Sequence, residues 1–275
     1  MKKTNNHGNS LVNEGDRMKY EYLLHLADNA LILGQRNAEW CGQGPVIEED
    51  IAMANISLDL IGQARMLYQY AATLRADEVT EDTLAYFRHE REFRNYTLLE
   101  LPHHIAYSSY MTTDKDYAYT IVRNYLYSTL MVLLWNELSD SNDETLKAIA
   151  EKSIKEAQYH LRHSSGWLQR LGDGTEESHQ KMQSALDALF HYTQEFWQDA
   201  DFETAANLEG FGVLPSTLKA SWEAAVSTTV AASTLTLPEA AGFITQGKVC
   251  YHSEYLGPLL AEMQYVARSY PDGNW

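Results

Sequence analysis

The chain reads as an all-α protein in which four long helices form a bundle and additional helices pack around it. Three observations carry that expectation. Apolar residues recur every three or four positions over long stretches. Prolines fall only at 45, 102, 215, 238, 258 and 271, which leaves a long Pro-free middle. No period-two run bounded by turn residues suggests a strand. With no internal repeat and no break in composition, residues 17–275 are expected to form one domain. The polar, Asn- and Gly-rich stretch 1–16 is expected to be a disordered tail.

The first helix is expected from about Met18, with Leu23, Leu26, Ala30 and Leu33 on one face, ending near Trp40-Cys41-Gly42. Gly44-Pro45 turns the chain into a second helix that runs to about Arg75. Glu48, Glu49 and Asp50 suit its positive end, and Met53, Leu60, Leu67 and Leu74 point inward. A third, highly charged helix is expected over Glu81–Leu101, closed by Pro102. Tyr117–Leu138 follows, with Ile121, Tyr125, Ser128, Val132 and Trp135 in line. The stretch Ser141–Gly172 is the spine of the bundle. Ser141 and Glu144 fit a capping box, Ala150, Ile154, Ala157, Leu161, Ser164, Leu168 and Leu171 form one face, and a Gly-rich stop ends it. Helices are further expected over Ser178–Asp199, Ser216–Val230 and Glu254–Ser269, with a looser stretch at Asp201–Pro215.

The net charge of −17 argues against binding nucleic acid or docking on an anionic membrane, both of which need a basic surface. Cys41 and Cys250 form neither a disulfide framework nor a zinc pattern, and read as free thiols of a reducing cytoplasm. No signal peptide opens the chain, and no apolar run approaches the ~20 residues of a membrane span.

Histidines beside carboxylates invite a metal hypothesis. Glu21, His25 and Asp28 are spaced for one helix face, and Glu156, His160 and His163 lie close together on the spine helix. Glu-x-x-His also occurs at Glu100–His103, where Pro102 breaks the helix, and at Glu176–His179, which opens one; with 38 acids and 10 histidines such matches arise by coincidence. There is no phosphate-binding glycine loop, no nucleophile elbow and no Cys-x-x-Cys. The residues alone demonstrate no active site.

Several long strings point further. Leu33-Gly-Gln-Arg-Asn-Ala-Glu-Trp40, Asn55-Ile-Ser-Leu-Asp-Leu-Ile-Gly-Gln-Ala-Arg65 and Asp82-Thr-Leu-Ala-Tyr-Phe-Arg-His-Glu-Arg91 are followed by Ile154-Lys-Glu-Ala-Gln-Tyr-His-Leu-Arg162, Gly166-Trp-Leu-Gln-Arg-Leu-Gly-Asp-Gly174 and Leu256-Gly-Pro-Leu-Leu-Ala-Glu-Met-Gln-Tyr265. In this order they resemble the C subunits of the bacterial ring-1,2-phenylacetyl-CoA epoxidase, over about Met18–Trp275. The resemblance implies a ferritin-like fold and a role in aerobic phenylacetate degradation. It implies a homologous A subunit that carries the di-iron centre, a flavin/iron–sulfur reductase among the other subunits, and no cofactor in this chain. It leaves open whether the chain alone pairs with itself.

Set against the A-type ligand pattern, the positions of the iron ligands fall at Ala30, Leu60, Gln63, Ser128, Ala157 and His160. Five of the six cannot serve as charged ligands, so the resemblance implies a degenerate site. His160 is then expected to be a hydrogen-bonded core histidine, partnered by Glu156 or Gln63. The rival reading is an independent di-iron oxygenase using Glu21, His25, Asp28, Glu156, His160 and His163. Contact with an acyl-CoA or with the A subunit is expected at Glu92, Phe93, Arg94 and Asn95, and at Thr204, Ala205 and Ala206, although a solvated charged face would account for the composition of Arg88–Asn95 equally well.

Overall fold

The computed structural model describes residues 14–104, 115–239 and 242–273. Its frame is two helical hairpins, α1 (Glu14–Ala38) with α2 (Ile47–Thr73) and α5 (Tyr117–Leu138) with α6 (Glu144–Gly172). The connection from α2 to α5 holds α3 (Glu81–Tyr86), a 3-10 turn at Glu90–Glu92 and the single turn α4 (Thr97–Glu100). After α6 come α7 (Glu176–Leu189), α8 (Asp201–Leu208), α9 (Pro215–Ala232) and α10 (Leu256–Ser269). Among the described residues there is no named strand, only an isolated bridge between Gln246 and Tyr251.

Burial sorts the four long helices into two kinds. α5 is buried on almost every side, from Ala118 through Leu138, and α1 likewise from Tyr22 to Leu33. α2 and α6 bury one stripe each, with Met53, Leu60 and Leu67 on the first and Ala150, Ala157 and Leu168 on the second. α1 packs on α2 and α5 on α6, while α8 covers α1 and α7 and α9 cover α5. The wrapping helices explain why α1 and α5 can be buried all round. No helix of the described residues is long and apolar enough to cross a membrane.

Local chemistry sets the ends. Gly42 takes the left-handed conformation (φ +74°), and a Cβ on Gly44 would sit 2.8 Å from Asp50, so the α1–α2 turn needs both glycines. α6 starts later than the sequence suggests. Its cap is Asp143, whose Oδ1 accepts from the backbone N–H of Thr145 and Leu146, both at 3.0 Å. Ser141, expected to cap, instead donates to Phe211 O at 2.8 Å. α1 begins at Glu14, inside the expected tail; residues 1–13 lie outside the described ones.

The largest departure is at Glu81–Leu101, which is broken rather than one helix. Asp28 and Asn29 on α1 accept from the backbone N–H of Arg94 and Tyr96, each at 2.8 Å, and a continuous helix would have engaged those groups internally. Arg88 turns inward, pairing with Asp28 and donating to Glu92 O at 2.8 Å, while Tyr68 OH reaches Asp28 at 2.5 Å. The expected loose stretch at Asp201–Pro215 is helical as far as Leu208, because Glu203 Oε2 accepts from Ala200 N at 2.7 Å and Phe202 and Ala206 bury one side. The expected Ser178–Asp199 helix tightens to 3-10 geometry over Phe190–Trp197.

The Asp28–Arg88 pair yields a stability prediction. Removing one partner strands the other charge in the interior, so Arg88→Met should cost about 3–5 kcal/mol, read as a lower urea midpoint. Replacing both, as Asp28→Leu with Arg88→Met, should recover part of that loss.

Candidate functional site

The six positions singled out between the long helices lie where the two hairpins face each other. Ala30, Leu60, Gln63, Ser128, Ala157 and His160 are all buried. The last five line a small void of about 10 Å³ together with Leu33, Tyr127, Met131 and Trp135. That is room for about one water. Two polar bridges edge the void. Gln63 Nε2 donates to Glu156 Oε2 at 2.8 Å, and His160 Nε2 lies 3.1 Å from Asp59 Oδ2. The partner of His160 is therefore Asp59, neither Glu156 nor Gln63. The two pairs sit a turn apart on antiparallel α2 and α6, so each carboxylate meets the residue opposite it rather than one on its own helix.

A di-metal centre in such a bundle takes about four carboxylates and two imidazoles. The midline offers one imidazole, one carboxamide and one hydroxyl among alkyl groups, and the residues present do not fit that group. Among the described residues no cluster of three or more His, Cys, Asp or Glu is arranged to hold a metal ion.

The other candidate ligands are scattered, each with its own protein partner. Glu21 pairs at the surface with Arg17 (3.0 Å) and Arg94 (3.1 Å). His25 Nδ1 lies 2.6 Å from Arg94 O, and burial, reinforced by the charge of Lys248, pushes its pKa down to about 3, so the ring is neutral. His163 Nε2 meets Glu49 at 2.8 Å, and Tyr117 OH donates to the same carboxylate oxygen at 2.6 Å. His103 is bonded to Thr120 Oγ1 (2.6 Å) and Arg36 O (2.9 Å), apart from Glu100. His179 Nδ1 lies 2.7 Å from Gly172 O, while Glu176 accepts from Gln180 at 2.6 Å.

The two stretches expected to contact ligand are brought together. The Arg94 guanidinium lies over the Phe202 ring of α8, 5.5 Å from its centre, two residues before Thr204. Their side chains divide by depth. Phe93, Asn95 and Ala206 are fully buried, Arg94 and Ala205 are half-buried, and Glu92 and Thr204 are exposed, Glu92 accepting from His89 N at 2.7 Å. Arg88, Phe93 and Asn95 are buried while His89, Glu90, Arg91 and Glu92 are exposed, so a solvated face describes the middle of this segment and not its ends.

Sequence reasoning missed what holds this region in place. A strap at 245–253 is gripped by three buried acids. Glu195 Oε1 accepts from Lys248 N (2.8 Å), while its Oε2 takes Thr245 Oγ1 (2.8 Å) and Thr97 N (3.0 Å). Glu203 takes Lys248 Nζ at 2.8 Å. Glu100 accepts from Asn95 Nδ2 (2.9 Å), Ser253 N (2.6 Å) and His252 Nδ1 (2.8 Å). An isolated lysine outside any periodic run gives no sign in the sequence that it will be buried.

Both nitrogens of His252 face acceptors, the second being Phe93 O at 2.9 Å, so the ring is held as an imidazolium. Burial opposes the charge, but the Glu100 carboxylate outweighs it and raises the His252 pKa. With the folded pKa above the unfolded one, the stabilisation is fully present below the ordinary imidazole range and is lost as pH rises through the folded value. His25 acts in the opposite sense, since its depressed pKa makes folding less favourable as pH falls below about 6.5. Urea midpoints followed across pH should therefore pass through a maximum, and His252→Gln should flatten the alkaline limb while leaving the acid limb.

With this geometry in place, comparison with known proteins is informative. A family model described as phenylacetic acid catabolic protein matches residues 3–275. The chain is 46% identical over 254 residues to the C subunit of the 1,2-phenylacetyl-CoA epoxidase of Escherichia coli (strain K12), covering 92% of this chain and 98% of that protein. The all-α bundle is consistent with this match along almost the whole chain, and the chain belongs to the phenylacetic acid catabolic protein family, whose fold is ferritin-like.

Proposed function

We propose that this chain is a non-catalytic, structural subunit of a ring-1,2-phenylacetyl-CoA epoxidase, pairing in the cytoplasm with the homologous di-iron A subunit and supporting it. The observation that carries this reading is the composition of the bundle midline. Where an iron-bearing relative needs charged ligands, this chain has Ala30, Leu60, Gln63, Ser128 and Ala157, and the nearby carboxylates of Asp59 and Glu156 are used to bridge α2 to α6. Packed alkyl groups there stabilise the bundle without a metal, whereas unpaired buried acids would carry a large desolvation cost.

In this reading the di-iron centre of the A subunit supplies the oxygen chemistry, with electrons from the reductase subunit. This chain contributes a rigid helical surface and, around Arg94 and Thr204, a polar edge suited to the anionic end of an acyl-CoA. Arg94 is the cationic group of that edge and is partly accessible, and a guanidinium matches phosphate oxygens in pairs. Arg94 is held there by Glu21 at 3.1 Å, a partly buried contact that phosphate would have to replace.

Three outcomes are expected. The purified chain should bind no stoichiometric iron by elemental analysis and form no epoxide, yet restore turnover when added to the A subunit. His160→Ala should lower the melting temperature while the reconstituted complex keeps its activity. A bound metal pair lost in His160→Ala would instead mark the chain as an independent oxygenase. Arg94→Ala should raise KM for the acyl-CoA with little change in kcat, the signature of lost binding that is equal in ground and transition states.

A further inference from the structure

A cavity of about 880 Å³ opens beside the first turns of α2 and α5, against the last turns of α6 and the start of α7. Its walls are mainly apolar, with Val46, Tyr117, Trp167, Leu171 and Met182 among them. Volume and lining match those of small-molecule sites, which add a few placed polar groups to an apolar wall. Nothing in the role proposed above uses this space.

Here the placed group is Glu49, which lines the cavity and is only 7% exposed. It stands in the first turn of α2, where the helix dipole favours a negative charge. Tyr117 OH and His163 Nε2 both reach the same oxygen, Oε2, at 2.6 and 2.8 Å, and Oε1 has no partner among the described residues. Burial and the Glu49 carboxylate hold the Tyr117 pKa above its ordinary value, so the phenol stays a neutral donor. A second proton on His163 would sit on Nδ1, which is buried with no acceptor, so the imidazole does not cancel the carboxylate either. The other charges of the lining are engaged. Lys181 pairs with Glu177 at 2.7 Å, Lys115 donates to Glu39 O, and Asp116 Oδ1 accepts from Ala118 N at 2.9 Å.

We propose that this cavity binds a primary amine carried on an aryl or alkyl body, with the ammonium on Glu49 Oε1 and the body against Tyr117, Trp167, Leu171 and Met182. An ammonium supplies the cation that the Glu49 cluster lacks, through charge-assisted hydrogen bonds from a single point. The apolar body takes the wall out of water. Water alone hydrates the free oxygen but leaves the apolar wall wet. A metal ion needs several ligands, and no group of three candidate ligands occurs among the described residues. An arylalkyl carboxylate fits the wall equally well but sets its charge against Glu49, so the head group decides the class of ligand. The proposal is independent of the role in an epoxidase.

Titration calorimetry of the full chain with 4-phenylbutylamine, 4-phenylbutanol and 4-phenylbutyrate separates head from body. The amine should bind at one site per chain, about ten- to a hundred-fold more tightly than the alcohol, the range of one charge-assisted hydrogen bond. The butyrate should bind more weakly than the alcohol, and butylamine, which lacks the ring, more weakly than the phenylbutylamine. Glu49→Gln keeps an acceptor for Tyr117 and should remove most of the amine's advantage over the alcohol, with unchanged circular dichroism. Should that variant be unstable, Val46→Lys, at an exposed position of the same lining, should weaken the amine several-fold without touching the core. No saturable binding of the amine, as when residues of the chain itself fill the cavity, overturns the proposal. So does a butyrate that binds as well as the amine, or amine binding indifferent to both variants.

Discussion

The carboxylate of Asp28 is the constraint on which the irregular half of this molecule depends. It lies on α1, fully buried, and takes its hydrogen bonds from Tyr68 on α2, the Arg88 guanidinium and the backbone of Arg94. An interior carboxylate left unpaired would carry a large desolvation cost. This one is neutralised by a guanidinium brought in from a connecting segment, and that segment must leave helical geometry to deliver it. The bend then exposes the Phe93 carbonyl and the Asn95 and Glu100 side chains to the strap at 245–253, which His252 and Ser253 fasten.

The four most deeply buried carboxylates follow one pattern. Asp28, Glu100, Glu195 and Glu203 are all sealed from solvent, and each has its own basic or N–H donors within the chain. All four belong to the region around residues 93–97, and none lines the void between the hairpins. Burial pushes the carboxyl pKa values of Glu195 and Glu203 up, and Lys248, with its backbone N–H on one acid and its ammonium on the other, works against both shifts. The interior is thus divided into a charged seam that ties non-helical segments together and a neutral midline where the long helices touch.

What the sequence made legible follows from this division. The long helices were readable because their apolar spacing is a local property; Tyr117–Leu138 coincides with its expected bounds, and Pro215 opens α9 within a residue of the expected start. The stretch 81–101 was not readable, because its helical propensity is overridden by Asp28 and Asn29, more than sixty positions away. The helix at Asp201–Leu208 was hidden by its brevity, which leaves too few turns for a period to emerge. The midline positions were legible only through resemblance, and the Asp59 partner of His160 needed the register of α2 against α6.

The neutral midline also bears on how such a bundle can hold or lack a metal. Each acid placed alone at Leu60, Ser128 or Ala157 would bury a charge beside a void with room for about one water, with no arginine or lysine among the residues lining it. A full ligand set is tolerable because the metal charges balance it, and an empty set is tolerable because alkyl groups pack, but the mixtures between them combine the costs of both. His160 can persist in the neutral interior because Asp59, partly open to solvent, satisfies its ring from the edge of the bundle. A histidine at that position consequently says little about metal binding; the residues facing it across the midline, Ala157 and Ser128 among them, say much more.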